Sequence, residues 1–254
     1  MKTLVAIPVY NEGKSVSQVV RDLQNSPGLP ALDILAINDG SSDDTAQRLA
    51  MIEGIQVLTH PKNRGYGAAL ISAFQFAMDH GYDAVISMDA DGQHEPRFVG
   101  DLALALADCD IASGSRYLKI HDSDTAAPDD RRRVNQTITR ELNEKLGLNL
   151  TDSFCGFKGY RVSALKKLNI TEAGYGMPLQ LWVQAAHRQL VIKEIPVPRI
   201  YLDPNRSFGA ALDRAEQRLA YYREIVEREM RLAQSISPTV PQDLCARIAL
   251  CCGL

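Results

Sequence analysis

The feature that most constrains this chain is a unit repeated through its first half: a short apolar run, a polar cluster, then a stretch with helical spacing. Apolar, β-branched runs occupy 3–10 (TLVAIPVY), 32–39 (LDILAIND), 55–60 (IQVLTH), 82–91 (YDAVISMDAD) and 109–117 (CDIASGSRY). Helical spacing marks 15–24, with Val16, Val19, Val20 and Leu23 on one stripe, and then 43–52, 67–81 and 95–107. Acidic residues at 43 and 44 suit a helix start, Gly81 a helix end and Pro96 a first turn. Strands alternating with helices of these lengths predict an α/β fold: a mostly parallel sheet flanked by helices on both faces. In such sheets ligands bind outside the carboxyl ends of the strands. The polar clusters YNE, NDGSSDDT, KNRGYG, DADGQH and GSRY all fall at those ends.

The second half is less regular. A polar segment at 119–130, expected to be mobile, precedes a helix predicted over 131–148. FCGFKGYR (154–161) combines glycines and aromatics and suggests a tight segment lining a pocket. A helix at 177–189 and a proline-stopped strand at 191–201 follow. A loop at 203–209 enters a long amphipathic helix over 210–232, with Leu212, Ala215, Leu219, Tyr222, Ile225, Val226 and Met230 on one side. A linker (237–242) and a short apolar C-terminal helix close the chain.

With 254 residues, the chain can bury a full core without disulfide or metal staples. A net charge of −3 supplies no global field toward nucleic acid, so no nucleic-acid partner is expected. Cys109, Cys155, Cys245, Cys251 and Cys252 are odd in number and fit neither a zinc nor a disulfide spacing, which points to a reducing cytosol. No signal-peptide pattern and no run of 18 apolar residues is present. The expected location is cytoplasmic, with any membrane contact peripheral at the cytoplasmic face; LCARIALCCGL is the candidate contact.

Asp89 and Asp91 stand one residue apart where a buried strand ends. Hard divalent cations prefer oxygen ligands and keep positions open for water and phosphate. The two carboxylates, with Gln93 as a neutral oxygen donor, match Mg²⁺ or Mn²⁺ held against a diphosphate. His94 reads either as a further ligand or as a helix-start residue; the aspartates themselves could instead cap the helix near Glu95. Asp39, the first acid after the second strand, can accept a hydrogen bond from a base or ribose, although an ordinary capped turn has the same residues. Pro8 and Tyr10 offer rigid surfaces to a base, and Glu12 an acceptor. Neither GxGxxG nor a Walker A sequence follows the first strand.

IPVYNE, INDGSSDDT, NRGYGAAL, DADGQHEP, GSRY and DSFCGFKGYR, in that order, resemble glycosyltransferase family 2, most closely its dolichol- or polyprenyl-phosphate mannose synthase branch. The likeness spans residues 3 to about 200. It implies a GT-A domain and an inverting, metal-dependent transfer of a hexose from a nucleotide sugar such as GDP-mannose or UDP-glucose. The resemblance places Pro8, Tyr10, Glu12 and Asp39 around the nucleoside, and Asp89, Asp91 and Gln93 on the metal.

Departure of a nucleoside diphosphate develops negative charge, which arginines stabilise. Arg116, the run Arg131–Arg132–Arg133, and Arg206 in the 203–209 loop are the candidates. Cations at a helix start oppose its dipole, so the triple run favours a bound anion over a merely solvated helix start. In the lipid-phosphate branch, basic residues here (Arg116, Arg132 and Arg133) receive the acceptor phosphate. Asp152 is a candidate contact to donor or acceptor.

The chain departs from many members of the family at Gln180, where they carry an acid. An amide takes no proton. A phosphate acceptor needs no base, whereas a hydroxyl acceptor would need another carboxylate such as Asp152. Polyprenyl phosphate is therefore the first acceptor expected, and a glycan or other hydroxyl the alternative. A non-catalytic nucleotide-sugar-binding module is a third reading. A haloacid-type phosphatase would need a nucleophilic aspartate on the first strand, which instead ends in PVYNE. The expected division is a GT-A domain over 1–209 and a helical extension over 210–254 packed on or beside it.

Overall fold

The computed structural model describes residues 1–26, 32–202 and 210–236. Seven strands form one sheet in the order β3-β2-β1-β4-β6-β5-β7. They are β1 (Thr3–Val9), β2 (Asp33–Asn38), β3 (Gln56–Thr59), β4 (Ala84–Ser87), β5 (Ile111–Ser115), β6 (Lys158–Arg161) and β7 (Ile192–Pro196). β6 runs antiparallel to β4 and β5; every other pairing is parallel. The mostly parallel sheet expected from the alternation is therefore present, and FCGFKGYR supplies the one antiparallel strand among the described residues. β1 lies between β2 and β4, so the chain's first two connections leave β1 on one side and the later ones go to the other. Such a reversal opens a crevice at the strand ends.

Both faces are covered. Alternation along β1 sends Leu4 and Ala6 into one core and Val5, Ile7 and Val9 into the other. The first core is completed by α3 (Tyr66–Asp79), α5 (Asp129–Leu146), α6 (Val162–Leu165), α7 (Met177–His187) and α8 (Ala215–Ile236). The second is completed by α1 (Val16–Gln24), α2 (Thr45–Ala50) and α4 (Val99–Ala105), the last entered through a 3-10 turn at Pro96–Phe98. The stripe read on α1 is the one it buries. On α8, Tyr222, Ile225 and Val226 enter the core, with Ala215, Leu219 and Met230 packed against it.

Two expectations change. α5 begins at Asp129, two residues before the arginine run, so Asp129 and Asp130 occupy its first turn. The acids already complement the dipole, and the case for an anion drawn from opposed cations falls away. The 119–130 segment, expected to be mobile, is tied to the exit of β7. The Thr125 amide donates to the Arg199 carbonyl (2.7 Å), the Arg199 amide to Asp124 Oδ1 (2.7 Å) and the Tyr201 amide to Thr125 Oγ1 (2.7 Å). Among the described residues, no helix is long and apolar enough to cross a membrane. Arg206, the 203–209 loop, the 237–242 linker and LCARIALCCGL lie outside the described residues.

Candidate active site

The crevice is built from the loops that leave β1, β2, β3 and β4. Asn11, at φ 55°, locks the first two together. Its Oδ1 accepts from the Ser42 amide (2.8 Å), and its own amide donates to Ser41 Oγ (3.0 Å). Gly40 is required here: it sits at φ 68°, and a Cβ would meet the Lys62 backbone at 2.3 Å. Glu12 faces inward to its own helix start and accepts from Ser15 Oγ at 2.8 Å. Tyr10 is 45% exposed at the mouth. Pro8, expected to present a flat surface, is instead buried within β1, opposite Ile37 of β2.

Asp39 is buried and fully engaged on one oxygen. Its Oδ1 accepts from the Arg64 amide (2.9 Å) and lies 2.6 Å from His60 Nδ1; its Oδ2 accepts from the Gly65 amide (2.8 Å). The KNRGYG loop thus wraps this carboxylate. Gly65 adopts φ 104°, and a Cβ there would strike the Ala173 carbonyl at 2.4 Å. The next residue, Tyr66, donates its hydroxyl to Asp89 Oδ1 (3.2 Å) and stacks on Tyr175 at 5.9 Å. One turn of chain therefore touches both the expected nucleoside carboxylate and the expected metal carboxylate. Burial, followed by the charge of Asp89, pushes the Tyr66 phenol well above its ordinary value, so it stays a donor.

In DADGQH, the Asp91 carboxylate accepts from the Gln93 amide (3.0 Å) and from Gln93 Nε2 (2.6 Å). That orientation leaves the Gln93 side-chain oxygen, not its nitrogen, as the group to offer a cation. Asp89 is partly open, with 27% of its side chain exposed. Its carboxylate rests against Gly156, where a Cβ would come within 2.7 Å of Oδ2. His94 is turned inward: Nδ1 accepts from the Asp89 amide (3.0 Å), and the ring stacks on Phe157 at 4.9 Å. Neither sequence reading of His94, a further ligand or an exposed helix-start residue, describes this placement: the side chain is 9% exposed and its Nδ1 supports the Asp89 backbone. Among the described residues, no group of three or more His, Cys, Asp or Glu forms a protein-only metal cage. Two carboxylates and an amide oxygen on one turn do suit a hard cation that completes its shell from water and phosphate.

On the far side, Arg116 and Asp152 form a bidentate pair at 2.7 and 2.9 Å. Asn135 Nδ2 (2.7 Å) and the Phe154 amide (3.2 Å) also donate to Asp152, which is completely buried. Burial alone would raise this carboxyl; the Arg116 charge and the Arg116 and Asn135 hydrogen bonds outweigh it and hold it well below the usual carboxylate range. Asp152 was a candidate general base or substrate contact. Sealed and ion-paired, it instead positions Arg116. Arg116 Nη1 reaches the Tyr201 hydroxyl (3.3 Å), and Arg131 lies over the same ring at 5.9 Å. Arg132 and Arg133 are exposed on the first turns of α5.

Gln180, the departure from the acidic pattern, is buried away from any proton to be taken. Its Oε1 caps the Thr171 and Glu172 amides (2.8 and 2.7 Å), and its Nε2 donates to Thr171 Oγ1 (3.0 Å) and Glu229 Oε1 (2.9 Å). The loop it organises carries Ala173, whose carbonyl accepts from the Ala68 amide at the start of α3 (3.0 Å). Lys158, whose role the sequence did not reveal, is buried beneath the site; it donates to the Cys155 carbonyl and lies 5.3 Å over the Trp182 ring. Burial pulls its pKa down. His60, Tyr66, Gly156 and Tyr201 were also missed. Only His60, directly after a strand, and Tyr66, inside NRGYG, carried a positional hint.

The sequence profile described as glycosyl transferase family 2 matches residues 4–169. The undecaprenyl-phosphate mannosyltransferase of Micrococcus luteus is 30% identical over 78% of this chain and 83% of its own. The polyprenol monophosphomannose synthase of Mycolicibacterium smegmatis is 30% identical over 77% and 76%. Among solved structures, glucosyl-3-phosphoglycerate synthase from Mycobacterium tuberculosis, in complex with Mn²⁺, UDP and glucosyl-3-phosphoglycerate, superposes with a TM-score of 0.66 at 19% identity. That match covers 94% of this chain and 81% of the other.

Proposed function

The chain belongs to glycosyl transferase family 2 and is a glycosyltransferase, and from that premise we propose that it moves a hexose from a nucleotide sugar, GDP-mannose or UDP-glucose, to a polyprenyl phosphate with inversion. The observation that carries the acceptor is the state of the two groups best placed by sequence to take a proton. Asp152 is sealed in an ion pair, and position 180 holds an amide whose hydrogen bonds are all committed. A hydroxyl acceptor would need a base. A phosphate is already anionic near neutral pH and needs none. The names of the Micrococcus and Mycolicibacterium relatives point the same way.

In this reading Tyr10, Glu12 and Asp39 border the nucleoside, with Pro8 behind them in β1. Mg²⁺ or Mn²⁺, held by Asp89, Asp91 and the Gln93 oxygen, would neutralise the diphosphate as the sugar leaves it; the Mycobacterium structure with Mn²⁺ and UDP supports that choice. Arg116, fixed by Asp152, adds positive charge where the leaving diphosphate and the incoming phosphate meet. Arg132 and Arg133 draw the acceptor phosphate to that end of the crevice; Arg206 is assigned to the nucleotide sugar from the sequence alone. The acceptor oxygen attacks the anomeric carbon, the bond to the diphosphate breaks, and the nucleotide leaves with the electron pair. Residues 1–209 would form the transferase domain, and the described part of the extension, 210–236, packs against it through α8. The protein works in the cytoplasm, meeting its lipid peripherally at the membrane face.

The test is transfer from GDP-mannose and UDP-glucose with Mn²⁺ to undecaprenyl phosphate, undecaprenol and soluble glycans, with products identified by mass spectrometry and anomeric configuration by NMR. A β-linked hexosyl phosphate from an α-linked donor supports the proposal. Transfer only to hydroxyl acceptors would refute the acceptor assignment, and nucleotide binding without any turnover would leave a binding module.

A further inference from the structure

We propose that His60 is a positioning residue of the donor site, holding the Asp39 carboxylate so that it keeps a single acceptor position for the nucleoside; this rests on the reading of Asp39 as a nucleoside contact. His60 follows β3 directly and is 4% exposed. Its backbone amide donates to the Asn38 carbonyl at 2.9 Å, continuing the β2–β3 ladder by one residue. Both ring nitrogens are engaged, Nδ1 with Asp39 Oδ1 (2.6 Å) and Nε2 with Ser72 Oγ on α3 (2.9 Å). Beside a carboxylate that accepts only, Nδ1 is the donor, and Nε2 shares its hydrogen bond with the serine hydroxyl. Ser72, His60 and Asp39 thus form a relay from α3 to the end of β2.

The relay determines what Asp39 has left to offer. A carboxylate oxygen accepts about two hydrogen bonds in its plane. Oδ1 has two donors, His60 and the Arg64 amide; Oδ2 has one, the Gly65 amide. One position on Oδ2 therefore remains for a base N–H or a ribose hydroxyl. Removing the Nδ1 donor would leave the carboxylate held by the two loop amides alone and open a second acceptor position, on Oδ1, beside the one on Oδ2. The expected consequence is weaker donor binding with little change in the chemical step, because His60 touches neither the diphosphate ligands nor Arg116.

The experiment uses the full chain, with UDP and GDP each titrated calorimetrically in the presence of Mn²⁺, alongside donor kinetics and thermal unfolding. His60→Ala is expected to weaken the nucleotide bound by the unmodified protein about tenfold and to raise donor KM similarly, while kcat changes less than about threefold. His60→Asn places an amide N–H where Nδ1 stood and should restore most of the affinity; His60→Gln reaches toward Ser72 instead and should not. A role in packing alone would impair Asn and Gln alike, and that result, or unchanged affinity in His60→Ala, overturns the proposal. Should the alanine variant fail to fold, the Asn–Gln contrast decides. Asp39→Asn separates the two readings. If it leaves nucleotide affinity intact, Asp39 is no nucleoside contact and the proposal falls with it. If it weakens binding while the His60 variants do not, only the positioning role is lost.

Discussion

At the scale of single residues, the candidate site is a set of carboxylates whose surroundings give them different work. Asp89 and Asp91 share one turn; Asp89 is partly open, whereas Asp152 is sealed under an arginine. Asp91→Asn is expected to raise the Mn²⁺ concentration for half-maximal activity by at least about tenfold, since one anionic oxygen is replaced by an amide; unchanged metal dependence would remove Asp91 from the ligand set. The Arg116–Asp152 pair has a pH signature. The folded-state carboxyl is depressed, so its stabilisation is present above the unfolded carboxylate pKa, near about 4, and is lost as pH falls through the lower folded value. Arg116→Ala leaves an uncompensated buried carboxylate and should cost about 3–5 kcal/mol at pH 7. Burial would then raise the Asp152 pKa, folding would take up a proton, and the deficit should narrow as pH falls. Denaturant unfolding from pH 8 down to about pH 2 reads both effects, the loss in the unmodified protein falling below about pH 4; a deficit that widens toward acid would contradict them.

At the scale of elements, helices α7 and α8 do more than cover the sheet. Gln180 on α7 caps the amides of Thr171 and Glu172, and Glu229 on α8 accepts from Gln180. Glu172 in turn accepts from Tyr221 (2.9 Å) and Arg228 (3.0 Å) of α8. The same loop meets the start of α3 through Ala173. A missing acid in sequence thus becomes a structural amide in space. Gln180→Ala takes the acceptor from the part-buried Thr171 and Glu172 amides and a donor from the buried Glu229 carboxylate, and should destabilise by about 2–3 kcal/mol, yet kcat should stay within about tenfold, because no proton passes through this position. Thermal unfolding and steady-state kinetics on one preparation test the pair of outcomes; a loss of several orders in kcat with an unchanged melting point would make Gln180 catalytic.

At the scale of the whole molecule, the C-terminal helix belongs to the main core. Tyr222, Ile225 and Val226 are 3%, 2% and 4% exposed. Burying such side chains contributes about 1.5–3 kcal/mol each, a sum comparable with the whole stability of an ordinary domain, about 5–15 kcal/mol. A chain ending at residue 214 should therefore be insoluble or molten, with lost near-UV circular dichroism; a cooperative melt in that truncation would show that the sheet and its remaining helices stand alone.

Much of this fold was legible in one dimension. The strands and helices of the first half fall where periodicity placed them: β1, β2 and β4 bury continuous apolar runs and α1 a single stripe, while the edge strand β3 stays largely exposed. The ligand-facing loops were legible as polar clusters at strand ends, since a parallel sheet gathers those ends along one edge. What periodicity cannot encode is which distant groups pair. FCGFKGYR was read as a tight segment, and only its pairing with β4 and β5 made it an antiparallel strand. Asp152 looked available until Arg116, Asn135 and burial closed over it. DADGQH could be read as an oxygen cluster for a hard cation because ligand spacing is a local property; the fold adds that Asp89 stays partly open and that Gln93 donates to Asp91. His60 met the Asp39 carboxylate only when β2, β3 and α3 converged, because a buried carboxylate takes its orientation from donors that sequence separation hides.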